Sequence, residues 1–87
     1  MPSIEEVVAE RGRAYGDFAA QAEIEQELKE IMRACPQWYD LEAYKRASLE
    51  MIAHKISRIL NGDSNHTDSW TDIEGYARIA RTRLTPP

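Results

Sequence analysis

HKISRILNGDSNHTDSWTDIEGY, residues 54–76, is the stretch that decides the fold. It opens with the end of one helix, which Asn61 and Gly62 are suited to terminate because both tolerate a left-handed backbone. Two aspartates four residues apart, Asp68 and Asp72, then open a second helix. The polar loop between the helices is short, about six residues, so the two helices must pack antiparallel as a hairpin. Basic groups and carboxylates give this hairpin the components of a nucleotide site, although salt bridges use the same residue types.

Hydrophobic periodicity extends this hairpin into an all-α chain with four helices and no strands. Ser3 followed by Glu6 is a capping box that starts a short first helix, and Gly12 is expected to stop it. Asp17 is a good N-cap for the second helix, and Pro36 ends that helix. The predicted helices cover residues 4 to about 11, 18 to about 34, 40 to about 60, and 67 or 68 to just before residue 86.

The apolar positions of the longer helices repeat at helical spacing and define the predicted core. Three helices of about 17 to 21 residues bury a thin core, and small bundles of this kind often complete it by pairing with a second copy. We therefore expect a short N-terminal helix plus three longer helices, with the bundle completed in a homo-oligomer. The predicted apolar stripe of the third helix is Leu41, Leu49, Ile52, Ile56 and Ile59, and that of the fourth is Trp70, Ile73, Ala77, Ala80 and Leu84.

Composition and charge argue against several classes of protein. Residues 1–87 are expected to form one domain, with 43% hydrophobic and 30% charged residues. The net charge of -4 argues against direct DNA binding, because nucleic-acid binders normally present a basic face. No run of about 18 apolar residues occurs, so no membrane-spanning segment is expected. Cys35 is the single cysteine, which rules out an intrachain disulfide and favours a reducing cytoplasm as the location.

Asp68 and Asp72 are the first candidates for a metal site. They lie one helical turn apart and therefore share a helical face, which Tyr76 continues by another turn. Carboxylates at this spacing are suitable ligands for Mg²⁺, with water completing its octahedral shell. The alternative is that the two acidic residues only stabilise the positive end of the helix dipole.

Lys55 and Arg58 are the candidates for holding phosphate. They lie one turn apart on the helix before the loop, and antiparallel packing of the hairpin brings them towards Asp68 and Asp72. A lysine point charge and an arginine fork are a common combination for polyphosphate. The alternative is a ladder of salt bridges between the two helices, which would use the same side chains.

Further candidates are weaker. Glu50 and His54 form an i, i+4 pair that could bind a metal, but the pair is expected to point away from the apolar stripe, where a solvated surface is favoured. Tyr15 precedes a helix N-terminus, whose backbone amides can bind an anion. A candidate surface for a protein partner lies on the second helix and consists of Glu23, Glu27 and Glu30.

Three blocks of the sequence together resemble a family of short bacteriophage and prophage proteins. The blocks are RGRAYGDF at residues 11–18, SLEMIAHKISRILNGD at 48–63 and DSWTDIEGYA at 68–77. The likeness covers nearly the whole chain, with the three blocks in the same order. It implies a phage-encoded protein that acts in the cytoplasm of a bacterial host cell.

The pattern YG, then K-x-x-R-I, then D-x-x-x-D with GYA is also similar to the all-α nucleotide pyrophosphohydrolase superfamily, which includes MazG-like enzymes. These enzymes bind Mg²⁺ through acidic side chains on packed helices and cleave a nucleoside triphosphate between its α- and β-phosphates. The resemblance implies catalysis by metal-activated water, with cations stabilising the developing charge. It also implies roles for Asp68 and Asp72 at the metal, Lys55 and Arg58 at the phosphates, and Tyr15 or Tyr76 beside the base or sugar.

The acidic signature of that superfamily is incomplete in this chain. The usual signature is E-x-x-E on one helix and E-x-x-D on the next. Glu27 and Glu30 could supply the first half and Glu50 could begin the second, but the final acid would then fall at Ala53. Either the metal site has been rebuilt around the two aspartates, or the protein binds nucleotides without cleaving them.

These observations leave three hypotheses. The first is a phage protein with a nucleotide-pyrophosphohydrolase-like fold that binds, and with Mg²⁺ could hydrolyse, a nucleoside polyphosphate. The second is a non-enzymatic phage accessory protein that inhibits a host defence protein or sequesters a nucleotide signal. The third is a structural module without a ligand, in which every polar pair is a salt bridge or a helix cap.

Overall fold

The computed structural model describes residues 1–85, which form four α-helices without a strand among them and so confirm the all-α prediction. Helix α1 (Ile4–Tyr15) is the shortest, and it precedes α2 (Phe18–Ala34), α3 (Ala43–Asn61) and α4 (Thr67–Arg81). Helix α3 lies between α2 and α4 and makes the main contacts with both. Across residues 1–85, no helix has the length and apolar character needed to cross a bilayer.

Helix α1 runs one turn further than the sequence predicts. Its N-cap is as expected, because the Ser3 hydroxyl accepts a hydrogen bond from the Glu6 amide at 3.1 Å. Gly12, expected to stop the helix, lies inside it. Helix α1 ends at Tyr15 and is capped by Gly16, whose φ of 80° suits glycine. The prediction was wrong because an internal glycine costs a helix only about 1 kcal/mol, which packing of the following turn can offset.

The start of α3 also differs from the prediction. A 3₁₀ turn (Trp38–Asp40) follows α2, so α3 begins at Ala43 rather than near Asp40. Trp38 is 6% exposed, and among the hydrophobic residues described only Ala53 is buried as well. This turn contacts α2 and buries its indole, and it occupies the residues just before and at the expected start of α3. The predicted end of α2 agrees with the structure, and that of α3 agrees within one residue.

Helix α4 presents a different face to α3 than its apolar spacing suggested. Ser69 is 3% exposed, whereas Trp70, expected in the core, is 55% exposed. The indole N–H of Trp70 donates to the carbonyl of Ser64 at 2.8 Å, which holds the ring beside the loop before α4. The small Ser69 allows the two helices to approach closely. The predicted stripe was therefore wrong at Trp70. It was also wrong at Ala77, which is exposed, and at Leu84, which lies beyond the end of α4 and is 49% exposed.

The interface between α2 and α3 contains a buried polar network. The Gln21 side chain, 3% exposed, donates to Glu25 Oε1 at 2.9 Å and to Ser57 Oγ at 2.6 Å. The Ser57 hydroxyl in turn donates to the backbone carbonyl of His54 at 2.5 Å. Glu25 also pairs with the His54 ring and with Lys29 Nζ, the latter at 2.8 Å. Helices α2 and α3 are thus joined by hydrogen bonds as well as by apolar contacts.

Burial alone would raise the pKa of Glu25, but its partners outweigh that effect. Hydrogen bonds from Lys29, His54 and Gln21, together with the electrostatic interaction with His54, lower the pKa of Glu25 to about 2. The expectation that this side of α3 faces solvent was wrong at His54, whereas Glu50 lies at the surface with its side chain 32% exposed. The His54 side chain is 23% exposed and faces Glu25, and Glu50 forms an ion pair with Arg33 of α2 at 2.9 Å. Helix α3 has two packed sides, which a single apolar stripe does not reveal.

Candidate functional site

The α1–α2 junction is fastened to the end of α3. The Asn61 side-chain amide donates to the backbone carbonyls of Tyr15 and Asp17, each at 2.9 Å. The Asp63 amide donates to the carbonyl of Ala14 at 2.8 Å. Gly62 lies against the backbone of Ala14 and Tyr15 so closely that a Cβ at residue 62 would overlap it. The sequence blocks YGD and NGD therefore form one structural unit, in which each glycine allows the other segment to approach.

This junction places the Tyr15 ring between two other side chains. The guanidinium carbon of Arg58 lies 4.2 Å from the ring centroid, within the range of a cation–π contact. The His66 ring meets the same ring edge-on, with centroids 5.3 Å apart and an interplanar angle of 81°. The three side chains come from α1, α3 and the residue before α4. We call this set the Tyr15 cluster.

Two hollows adjoin the Tyr15 cluster. The larger has a volume of about 570 Å³ and lies between α1, the start of α2, and α3. The smaller, of about 310 Å³, shares Arg11, Tyr15 and Arg58 with it and adds His66 and Asp68. Residues that line the larger hollow include Val8, Arg11, Tyr15, Phe18, Gln21 and Arg58.

The charged residues differ between the two hollows. Arg11 and Arg58 outnumber the single carboxylate of Asp17 in the larger hollow, whereas Glu10 and Asp68 balance the same two arginines in the smaller one. Within residues 1–85, neither Arg11 nor Arg58 forms an ion pair with a carboxylate, although both line both hollows. The nearby carboxylate of Asp17 accepts a hydrogen bond from the Ala20 amide at 3.0 Å and caps α2. Two unpaired guanidinium groups beside a cavity can bind a phosphate or carboxylate group through bidentate hydrogen bonds.

The apolar lining of the larger hollow favours a ligand with a flat or hydrophobic part. The Phe18 side chain is 77% exposed and Val8 is 62% exposed, so both present apolar surface to whatever enters. Gln21 is buried and directs its amide into the α2–α3 network, which fixes the floor of the hollow. An anionic group joined to an aromatic ring would satisfy both sides of this cavity.

The structure separates the residues predicted for the hairpin site. Lys55 Nζ lies 2.9 Å from Asp72 Oδ2, which is the cross-hairpin salt bridge considered as the alternative. Lys55, Asp72 and Tyr76 do not line either hollow around the Tyr15 cluster. Arg58 and Tyr15, by contrast, are brought into contact at the centre of the site.

The two predicted magnesium ligands are in different surroundings. Asp68 lines the smaller hollow, is 70% exposed, and has Oδ2 3.4 Å from His66 Nε2. Asp72 is engaged by the ammonium group of Lys55. Across residues 1–85, no three His, Cys, Asp or Glu side chains converge as they would to hold a metal ion. The pair does not form a metal-binding set by itself, and only Asp68 lies where it could contact a metal already bound to a phosphate ligand.

Several residues of the site were missed by sequence reasoning. Arg11 precedes Tyr15 by four residues, so the two share a helical face once α1 continues through Gly12. Because the sequence predicted that the first helix stops at Gly12, the shared face of Arg11 and Tyr15 was not recognised. Phe18 lines the larger hollow and His66 contacts the Tyr15 ring, although neither was a candidate from the sequence. Only the tertiary arrangement of three helices shows this.

The glutamates proposed as a partner surface are all exposed on α2. They are Glu23, Glu27 and Glu30, and none forms an ion pair within the part of the chain described. They lie outside both hollows. The acidic surface and the arginine-lined site are therefore separate features.

Comparison with known proteins finds one family. A family model described as a domain of unknown function (DUF6378) matches residues 2–83, nearly the whole chain. The match includes the α1–α2 junction, the end of α3 and α4, hence every residue of the Tyr15 cluster. No curated protein and no solved structure matches the chain.

Proposed function

The chain belongs to the DUF6378 family, and we propose that it binds a nucleoside polyphosphate beside the Tyr15 cluster. The observation that supports this proposal is the pair of arginines without carboxylate partners, Arg11 and Arg58, around a hollow of about 570 Å³ in a protein of net charge -4. An acidic protein that keeps two free guanidinium groups at one cavity has a local field suited to an anion.

The arginines would bind the phosphates. Arg58 is held by its stacking on Tyr15, so its fork is preorganised and loses less side-chain entropy on binding. Arg11 reaches the same hollow from α1. Lys55 has a smaller role in this proposal than the sequence suggested, because its ammonium group is engaged by Asp72.

The base would occupy the apolar part of the larger hollow. Phe18 offers an exposed aromatic face, and stacking of a base on an aromatic ring contributes about 1–3 kcal/mol in nucleic-acid complexes. Tyr15 would border the sugar or base while it supports Arg58. Tyr76, the other tyrosine considered for this role, lies outside the hollow.

In this proposal Mg²⁺ binds together with the nucleotide, through its phosphates. Mg²⁺ is commonly held by one or two carboxylates together with substrate phosphates. Asp68 and Glu10 both line the smaller hollow, and Asp68 is the carboxylate that we propose for this role. When bound there, it would neutralise phosphate charge. Hydrolysis would further require residues that activate a water molecule. We therefore propose nucleotide binding as the function, and MazG-like pyrophosphohydrolase activity as a further activity that would need such residues.

Phage origin and action in the bacterial cytoplasm belong to the same proposal. They rest on the resemblance of the three sequence blocks to short phage and prophage proteins. A small nucleotide binder without turnover could remove a nucleotide signal from the host cell. Such a protein would combine two of the hypotheses drawn from the sequence, namely nucleotide binding by a pyrophosphohydrolase-like fold and sequestration of a nucleotide signal by a phage accessory protein.

A thermal-shift screen tests the proposal. Purified protein is heated with nucleoside triphosphates, diphosphates and cyclic nucleotides, each with and without Mg²⁺. A ligand at about 100 times its dissociation constant should add roughly 2.7 kcal/mol of stability, which gives a clear rise in Tm. Arg58→Gln should lose about half or more of this rise, while Arg78→Gln, on the exposed part of α4, should keep it. A rise that is equal in both variants would contradict the proposed site.

The acidic surface of α2 supports a second candidate function, capture of a host protein. Three exposed glutamates without ion-pair partners could bind a basic surface. Reversing their charge in Glu23→Lys, Glu27→Lys and Glu30→Lys together should abolish capture of a host protein by the purified chain and leave nucleotide binding unchanged. Retained capture would remove this surface from consideration.

A further inference from the structure

An apolar groove between α2 and α3 has no role in the proposed nucleotide site. Its volume is about 400 Å³, and no charged residue lines it. It shares no lining residue with the larger hollow beside the Tyr15 cluster. Leu28, Ile31 and Met32 form one wall from α2, and Leu49, Ile52 and Ile56 form the other from α3.

The two walls are matching helical stripes. On each helix the apolar residues recur at intervals of three and four, so they form a continuous ridge along one side. Ile31 is 66% exposed, Leu49 42% and Ile56 36%, although these side chains are typical of a protein core. Two adjacent apolar ridges are the surface that a helix pair from another chain packs onto.

The chain as a whole exposes enough surface for a second copy to cover part of it. The chain of 10.0 kDa has a solvent-accessible surface of 6478 Å². A compact monomer of this mass exposes about 5200 Å², so this chain exposes about 1200 Å² more. Its radius of gyration is likewise large, 14.9 Å against about 12 Å for a compact domain of this length. A stable interface of standard size removes about 800 Å² from each partner, which matches most of this excess.

We propose that the groove is the interface of a homodimer, in which a second copy packs its α2–α3 pair onto that of the first. The same surface would be used by both chains, so the assembly closes at two subunits. The absence of charged lining residues allows two chains of net charge -4 to meet there without placing like charges in contact. Both hollows of the Tyr15 cluster remain open, so dimerisation and nucleotide binding are independent proposals.

The molar mass of the full chain in solution tests the dimer. Light scattering coupled to gel filtration should give twice 10.0 kDa for the wild type. Ile31→Glu should give the monomer mass, because it places a charge in the interface. Since Ile31 is 66% exposed in the single chain, this substitution leaves the fold of a monomer intact, which circular dichroism checks. Ile4→Glu is the control, because Ile4 is 71% exposed on α1 and lies outside the groove, and it should remain dimeric.

Cys35 supplies an independent readout, because it lines the groove and is the single cysteine of the chain. Maleimide should label Cys35 slowly in the wild type and several-fold faster in Ile31→Glu and in Leu49→Glu, which alters the opposite wall. A monomeric wild type at micromolar concentration, or an Ile31→Glu variant that stays dimeric, overturns the proposal. Equal labelling rates in all variants also overturn it. A monomer that instead binds an apolar helical peptide in the groove would assign the surface to a different partner.

Discussion

Arg58 lies with its guanidinium carbon 4.2 Å from the ring centroid of Tyr15, across the contact between α3 and α1. This relation exists because Asn61 and Gly62, one turn after Arg58, fasten the α1–α2 junction to the end of α3. The stacked arginine has no acidic partner within the described chain and borders a cavity. The sequence blocks that contain YGD and NGD thus position a cation beside an aromatic ring.

The arginines should account for most of the phosphate affinity. Replacing Arg58 by glutamine removes charge-assisted hydrogen bonds of about 1.5–3 kcal/mol, so the dissociation constant for a nucleoside triphosphate should rise by roughly 10- to 100-fold. Arg11→Gln should have an effect in the same direction. Isothermal titration calorimetry measures both. Arg33→Gln, which removes only the surface partner of Glu50, is the control and should bind normally.

Gly62 should be essential to the stability of the junction. A Cβ at this position would overlap the backbone of Ala14 and Tyr15, so Gly62→Ala should lower the free energy of unfolding by about 1–3 kcal/mol. Gly75→Ala is the matched control. Nothing lies within 4 Å of a Cβ at Gly75 inside α4, and alanine there should raise stability by about 0.5–1 kcal/mol. Urea unfolding separates the two. Equal effects would mean that the junction does not pack as described.

The helices could be predicted from the sequence because their caps and terminators are local. Ser3 and Asp17 act through neighbouring backbone amides, and the structure confirms both caps. The α3 helix does end at Asn61 and Gly62, but the expected left-handed backbone was wrong: Gly62 has a φ of -135°, and the Asn61 side chain donates to the distant carbonyls of Tyr15 and Asp17. The length of α1 and the rotation of α4 could not be predicted, since they depend on contacts between distant residues. Gly12 continues a helix because the next turn packs on α3, and Ser69 rather than Trp70 is buried.

The two hairpin aspartates should differ in their effects on nucleotide binding. Asp72→Asn breaks the salt bridge to Lys55, and because the Asp72 side chain is 44% exposed the loss of stability should stay within about 1 kcal/mol. The nucleotide affinity of Asp72→Asn should equal that of the wild type. Asp68→Asn should instead remove any gain in affinity that Mg²⁺ provides. Titrations with and without Mg²⁺ distinguish the two, and a Mg²⁺ effect lost only in Asp72→Asn would restore the original hairpin site.

Stability should fall in acid through Glu25. The pKa of Glu25 is about 2 in the folded chain, below its ordinary value of 4.5, because Lys29, His54 and Gln21 hydrogen-bond to the carboxylate. A lowered pKa contributes stability that is fully present above pH 4.5 and is lost as the pH falls towards 2. Urea unfolding at pH 7 and pH 3 should therefore show a smaller pH dependence in Glu25→Gln than in wild type. Glu27→Gln, at an exposed position, should retain the wild-type dependence.

The candidate site, like the fold, was only partly predictable from the sequence, because part of it depends on contacts between residues that are distant in the chain. Arg58 and Tyr15 were identified from their residue types and neighbours, but their contact requires three helices to meet. Lys55 was expected beside a ligand, and the structure shows it neutralised by Asp72. Arg11 was overlooked because it shares a face with Tyr15 only if the helix continues past a glycine.

Binding of a nucleotide beside the Tyr15 cluster is tested most directly by a two-dimensional ¹H–¹⁵N NMR titration with a nucleoside triphosphate. Our account predicts that shifts of backbone and side-chain resonances concentrate at Arg11, Tyr15, Phe18, Gln21 and Arg58. In Arg58→Gln the same shifts should require a roughly 10- to 100-fold higher ligand concentration. Shifts centred on Lys55, Asp72 and Tyr76, or no shifts at millimolar ligand with and without Mg²⁺, would contradict it.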